Sequence, residues 1–180
     1  LHVAVKAGRA ELVHVLIERG VELDHCNELG ITPVKLAVRR NEALVLSLLL
    51  ESGADPNRGS GSLNPLSAAV TLRRRELARL LLEHGADPNT QDDSGMSPLA
   101  SATGSGDLET AELLLDFGAD PNGDATRSTP LVVAVSMGNA DAVRLLVSRG
   151  AVSRPQGATV SALSLAEVSG RETILGMLQE

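Results

Sequence analysis

The chain has 180 residues, a net charge of -7 and 43% hydrophobic residues, yet its aromatic content is one side chain, Phe117, with no tyrosine or tryptophan. Acidity and the lack of rings to stack on bases argue against general nucleic-acid binding. A lone cysteine, Cys26, excludes an intramolecular disulfide framework, and no apolar run reaches the roughly 18 residues needed to span a bilayer, so an intracellular location, cytoplasmic or nuclear, is expected.

From the N-terminus, Leu1 to Ala7 reads as a short helix with Ala4 on its packed face, closed by Gly8. A second, more apolar helix follows and stops at Gly20, and a polar stretch through His25, Cys26, Glu28 and Leu29 leads to Ile31. The same events then restart at Thr32-Pro33, Asn64-Pro65, Ser97-Pro98, Thr129-Pro130 and, without the proline, Ser161-Ala162. Thr, Asn and Ser cap helix N-termini, and proline is favoured at the first helical position, where its missing N–H costs nothing. Four residues beyond each packed alanine stand Gly8, Asn41, Arg73, Gly106, Gly138 and Gly170. Five of these six tolerate a positive φ, so the first helix is expected to end there in a left-handed turn. The glycine runs Gly59 to Ser62 and Thr103 to Gly106 read as loop punctuation, a finger tip and an inter-helix turn.

These restarts are periodic. Gly-Ala-Asp-Pro-Asn occurs at 53–57, 85–89 and 118–122, and its glycine continues in step at Gly20 and Gly150. Ala4, Ala37, Ala69, Ala102, Ala134 and Ala166 recur every 32 or 33 residues. Constant spacing inside the unit with a one-residue variation outside it means a rigid block joined by a slightly variable loop. Units fall at about 1–30, 31–63, 64–95, 96–127, 128–159 and 160–180. Two helices joined by so tight a turn run antiparallel, and the polar segment after each repeat glycine becomes a hairpin-like finger. The chain opens partway into a unit, which points to a piece of a longer protein. At the other end Gln179 replaces the apolar residue found at Ile17, Leu50, Leu82, Leu115 and Val147, as a terminal capping repeat requires.

Thr32-Pro33, Thr129-Pro130-Leu131, Leu1-His2-x-Ala4 and the three Gly-Ala-Asp-Pro-Asn copies make the chain resemble the ankyrin repeat family, whose marker is Thr-Pro-Leu-His-x-Ala. The resemblance implies an all-α fold, a solenoid of stacked antiparallel helix pairs with finger loops, as one monomeric domain over 1–180. It implies a structural role for His2 in a hydrogen bond between neighbouring repeats. Lys35, Ser67, Ala100, Val132 and Ser164 depart from the pattern at that position, and so put the local rigidity of the later units in question.

No catalytic constellation is present. The sequence lacks a phosphate-cradling glycine motif with its lysine, a Gly-x-Ser-x-Gly elbow and a metalloprotease helix. His14, His25 and Cys26 lack the spacing of a structural zinc site, and His84 reads as a solvated helix end. No cofactor, metal or enzymatic activity is expected. Tightly layered aliphatic repeats also leave little room for a small-molecule pocket.

Charge is unevenly spread: residues 35–79 hold eight basic against four acidic side chains, and residues 80–126 hold ten acidic ones and no lysine or arginine. In the ankyrin family the fingers and the exposed face of the first helices bind other proteins. The resemblance therefore implies a non-catalytic module that binds a protein or peptide, or the substrate-recognition part of a larger enzyme or ubiquitin-ligase adaptor. Carried onto this sequence, the contact candidates are Leu29, Arg39, Arg40, Thr71, Leu72, Arg73, Arg74, Arg75, Asp93, Met96 and Met137. Ile31 and Leu63 are further apolar candidates, and for Ile31, Leu63 and Met96 packing between fingers is the equal alternative. A partner segment of bipolar charge would fit the two charged stretches.

Overall fold

The computed structural model describes residues 1–58, 64–124, 128–157 and 160–179, which fall into two compact units, Leu1–Asp87 and Pro88–Glu180. Leu63 and the Gly59 to Ser62 run lie outside the described residues. In the first unit the helices are α1 (His2–Lys6), α2 (Ala10–Glu18), α3 (Pro33–Arg40), α4 (Ala43–Glu51), α5 (Pro65–Thr71) and α6 (Arg75–Glu83). The second holds α7 (Pro98–Ser105), α8 (Leu108–Asp116), α9 (Pro130–Met137), α10 (Ala140–Ser148), α11 (Ala162–Val168) and α12 (Glu172–Gln179). No strand occurs among the described residues.

Each unit has two layers. In the first, α1, α3 and α5 pack side by side and α2, α4 and α6 form the layer behind; in the second, α7, α9 and α11 stand before α8, α10 and α12. The six periodic alanines are buried at the helix contacts, where a larger side chain would hold neighbouring backbones apart. Around them Leu46, Leu49, Leu77 and Leu81 fill the core of the first unit, and Leu99, Leu114, Leu131 and Leu146 that of the second. Burial of each such leucine contributes about 1.5–3 kcal/mol, which lets helices of five to nine residues persist although none would be stable alone.

Local chemistry fixes the ends of these short helices. The side chains of Thr32, Asn64, Ser97 and Thr129 each accept the backbone N–H three residues on, with proline in the first turn. Ser161 makes no such bond, leaving the start of α11 less anchored. At the other end all six expected turn residues have positive φ, Arg73 (55°) and Asn41 (61°) included. The residue after each turn donates its N–H to the periodic alanine: Arg9 to Ala4, Glu42 to Ala37, Arg74 to Ala69, Asp107 to Ala102, Asn139 to Ala134 and Arg171 to Ala166. Each alanine therefore has two roles, a small side chain for packing and a carbonyl that closes the helix.

The repeat motif also joins successive fingers. Oδ1 of Asp55 and of Asp120 accepts the N–H two residues on, which turns the chain so that the following asparagine reaches its neighbour. Asn57 Nδ2 donates to the Gly85 carbonyl at 2.9 Å while its Oδ1 accepts from Asp87 N–H at 2.8 Å. Asn89 does the same to Gly118 and Asp120, and Asn122 to Gly150 and Val152.

The run Thr103 to Gly106 is not wholly a turn, as its composition suggested. Helix α7 continues through Ser105, and only Gly106 adopts the left-handed conformation. Gly104 is a packing residue, because a Cβ placed on it would lie 2.7 Å from Cγ1 of Val133 on α9.

Candidate functional site

In the first unit the C-terminal ends of successive first-layer helices present a series of basic groups. Lys6 ends α1, Arg39 and Arg40 end α3, and Arg73 and Arg74 follow α5. Arg40 Nη2 donates to the Lys6 carbonyl at 3.2 Å, a cation satisfying a helix C-terminus of the neighbouring repeat. Lys6, Arg39 and Arg40 form no ion pair among the described residues. Thr71, Leu72, Arg73 and Arg74 are exposed and Arg75 is half-buried. Since α3 and α5 pack as neighbours, Arg39 and Arg40 stand on the helix beside the one that ends at Leu72, its C-cap.

The first finger leans toward these ends. Asn27 Oδ1 accepts the N–H groups of Leu29 and Ile31, both at 3.0 Å, which tightens the finger into a turn. His2 Nε2 lies 2.7 Å from the Ile31 carbonyl and ties the root of the finger to α1, the inter-repeat bond expected of this histidine. Between finger and helices lies an open groove of about 390 Å³, lined by His2, Val3, Lys6, Asn27, Leu29, Ile31, Leu36, Arg39 and Arg40. Leu29 is 79% exposed at its edge. Ile31, which the sequence leaves open between contact and packing, is buried, with 8% of its surface exposed. Val3 and Leu36 escaped the sequence reading, although both stand one residue before a periodic alanine. That common position was the available signal.

His25, Cys26 and Glu28 border a second cleft of about 620 Å³ that shares His2, Asn27 and Leu29 with the groove. The His2 and His25 rings meet edge to face with centroids 6.5 Å apart. Among the described residues no group of three or more His, Cys, Asp or Glu is arranged to hold a metal ion. His84 is half-buried, not fully solvated, because its Nδ1 sits 2.9 Å from the Leu80 carbonyl at the end of α6.

In the second unit Asp93 is exposed on a finger, and Met137, at the end of α9, is 64% exposed. Met96 is half-buried, and its N–H is taken by Asp92 Oδ1 at 3.0 Å. Partial burial pushes the Asp92 carboxyl up, but donors from the Ser94 hydroxyl and the N–H groups of Met96, Ser94 and Gly95 outweigh it and hold the group below the usual carboxylate range. Other acidic residues of this unit are likewise engaged. Asp107 caps α8, Asp116 pairs with Arg149 at 2.9 Å, and Asp120 shapes its finger.

No helix among the described residues is long and apolar enough to cross a membrane. The family described as ankyrin repeats (3 copies) matches residues 1–92 and 87–156. Among solved structures, the chain is similar to EF0377, an ankyrin repeat protein, with 27% identity, a TM-score of 0.84, and 98% of this chain and 94% of the other covered. An ankyrin repeat domain from Acinetobacter baumannii AYE aligns with 26% identity and a TM-score of 0.87 over 99% and 95% of the two chains. The ankyrin repeat domain of Bcl-3, a member of the IkappaB protein family, aligns with 30% identity and a TM-score of 0.86 over 99% and 83%. No curated protein sequence matches the chain. Ankyrin repeats are generally protein–protein interaction modules, and their fold is typically non-catalytic. With its periodic alanines, left-handed turns and asparagine-linked fingers, and with family matches that run from residue 1 to 156, the chain belongs to the ankyrin repeat family.

Proposed function

We propose that the chain is a non-catalytic module, working inside the cell, that binds a partner protein on the fingers and first-layer helix ends. The observation that carries this reading is the basic face of the first unit. Arg39 and Arg40 are exposed at the end of α3 without an ion pair among the described residues, next to the helix bearing exposed Leu72, and Leu29 projects at the same groove. Cations held at the surface without a counter-charge are available for recognition, and exposed apolar side chains beside them supply contact area. Thr71, Arg73, Arg74 and Arg75 extend this face. On the second unit the reading assigns contacts to Asp93, Met96 and Met137, with a basic part of the partner against Asp93.

The test is affinity capture from cell extract with the parent chain and with Arg39→Glu plus Arg40→Glu, compared from low to moderate salt. Rim charges act chiefly on association rate and are screened over about 8–10 Å near physiological ionic strength. Captured proteins should fall in abundance both with the substitutions and with salt. An unchanged set of partners would reduce the face to solvated surface.

A further inference from the structure

Resting on that reading, we propose that the groove beside the first finger takes one leucine-sized side chain of an extended acidic segment, with carboxylates before and after it meeting Lys6, Arg39 and Arg40. The groove is apolar along Val3, Ile31, Leu36 and Leu29, and its charged lining residues are these three cations, with no carboxylate among them. A volume of about 390 Å³, open to solvent, admits a side chain and the backbone that carries it. The walls are held before any ligand arrives. Asn27 closes the finger, His2 ties Ile31 to α1, and Arg40 is already oriented by the Lys6 carbonyl. A preformed wall loses little conformational freedom on binding, which favours a short segment with a single anchor.

The two ends of the segment's chemistry follow from different residues. The apolar anchor replaces water over Leu29 and Leu36, and the acidic flanks meet the Lys6 ammonium and the Arg39 and Arg40 guanidinium groups, of which Arg40 is held by the Lys6 carbonyl. An anionic membrane is the competing class of partner. It would need a flat polybasic surface, whereas here three cations rim a concavity on a chain of net charge -7.

The probe is a fluorescein-labelled peptide, Gly-Glu-Glu-Leu-Glu-Glu-Gly, read by anisotropy at several salt concentrations, beside one peptide with serine for leucine and one with lysine for every glutamate. The acidic leucine peptide should bind roughly tenfold more tightly than either control, as one buried leucine or a reversed set of rim charges implies. Arg39→Ala plus Arg40→Ala should weaken it and flatten the salt dependence. Leu29→Ser should weaken the leucine peptide while leaving the serine peptide unaffected, which separates loss of the anchor from loss of fold. Equal binding of all three peptides, or no binding, overturns the assignment, as does tighter binding to vesicles of phosphatidylserine and phosphatidylcholine than to the leucine peptide. If the peptide fails while partners captured by the parent chain are still lost from the Arg39→Glu plus Arg40→Glu chain, the groove assignment falls and the broader module reading survives.

Discussion

The Asp24 carboxylate accepts the backbone N–H of Asp55 at 3.0 Å. Asp24 occupies the place that asparagine holds at 57, 89 and 122, four residues after each repeat glycine. A carboxylate reproduces the accepting half of that link but has no N–H to donate to the Gly53 carbonyl.

Asp24→Asn should therefore stabilise the first unit, since an added hydrogen bond is worth about 1 kcal/mol. Asn57→Ala should cost about 1–3 kcal/mol, because it removes partners from both Gly85 and Asp87. Denaturant unfolding of the two variants checks the pair of signs; a destabilising Asp24→Asn would mean that the charge, not the geometry, is what the first finger uses.

Arg73 adopts the left-handed region at φ 55°, where its equivalents are glycine or asparagine. An ordinary side chain there costs about 1–2 kcal/mol. Arg73→Asn should recover about 1 kcal/mol of that by a residue suited to the region, without the added chain entropy of glycine. Thermal unfolding gives the stability, and partner capture should weaken in the same variant if this arginine belongs to the binding face.

At Gly104 the constraint is space. A Cβ would approach Val133 Cγ1 to 2.7 Å, so Gly104→Ala should force α7 and α9 apart and cost about 1–3 kcal/mol. Val133→Ala in the same chain should restore most of the loss. A double variant no better than the sum of the two single changes would place the strain elsewhere.

Asp92 makes its finger sensitive to acid. Its folded carboxyl titrates below the usual range, so its stabilising effect is complete above the unfolded value of about 3.9 and disappears as pH falls through the lower folded value. Asp92→Asn keeps the acceptor oxygen and cannot titrate. The stability difference between parent and variant should be flat from pH 7 to 5 and shift in favour of the variant below about pH 4. Asn27 supplies the same turn in the first finger with a neutral amide, so the Leu29 and Ile31 N–H groups should show no matching change in hydrogen exchange.

Much of the architecture was local enough to be read along the chain. Capping by Thr32, Asn64, Ser97 and Thr129 requires only the three residues that follow each, and the left-handed turn at Gly8, Asn41, Gly106, Gly138 and Gly170 requires only a residue that tolerates positive φ. Even at Arg73 the period overruled the residue's own preference, because neighbouring repeats impose the same backbone on every copy. Composition also exposed the basic stretch around Arg39 and Arg73.

What the tertiary structure decided depends on groups some 30 residues apart. The asparagine of the repeat motif read as turn chemistry until Asn57 was seen spanning from one finger to the next. Gly104 read as a loop residue until Val133 was found against it. Ile31 was open to either contact or packing and is buried, while Leu29, two residues earlier, is exposed. Asp92, Asp107, Asp116 and Asp120 counted toward the acidic stretch of residues 80–126 and are largely occupied in turns, a cap and an ion pair. A residue's type states which bonds it can make, and its period states which backbone it inherits; whether its side chain is then satisfied inside the protein or left for a partner is fixed only by what the adjacent repeat places against it.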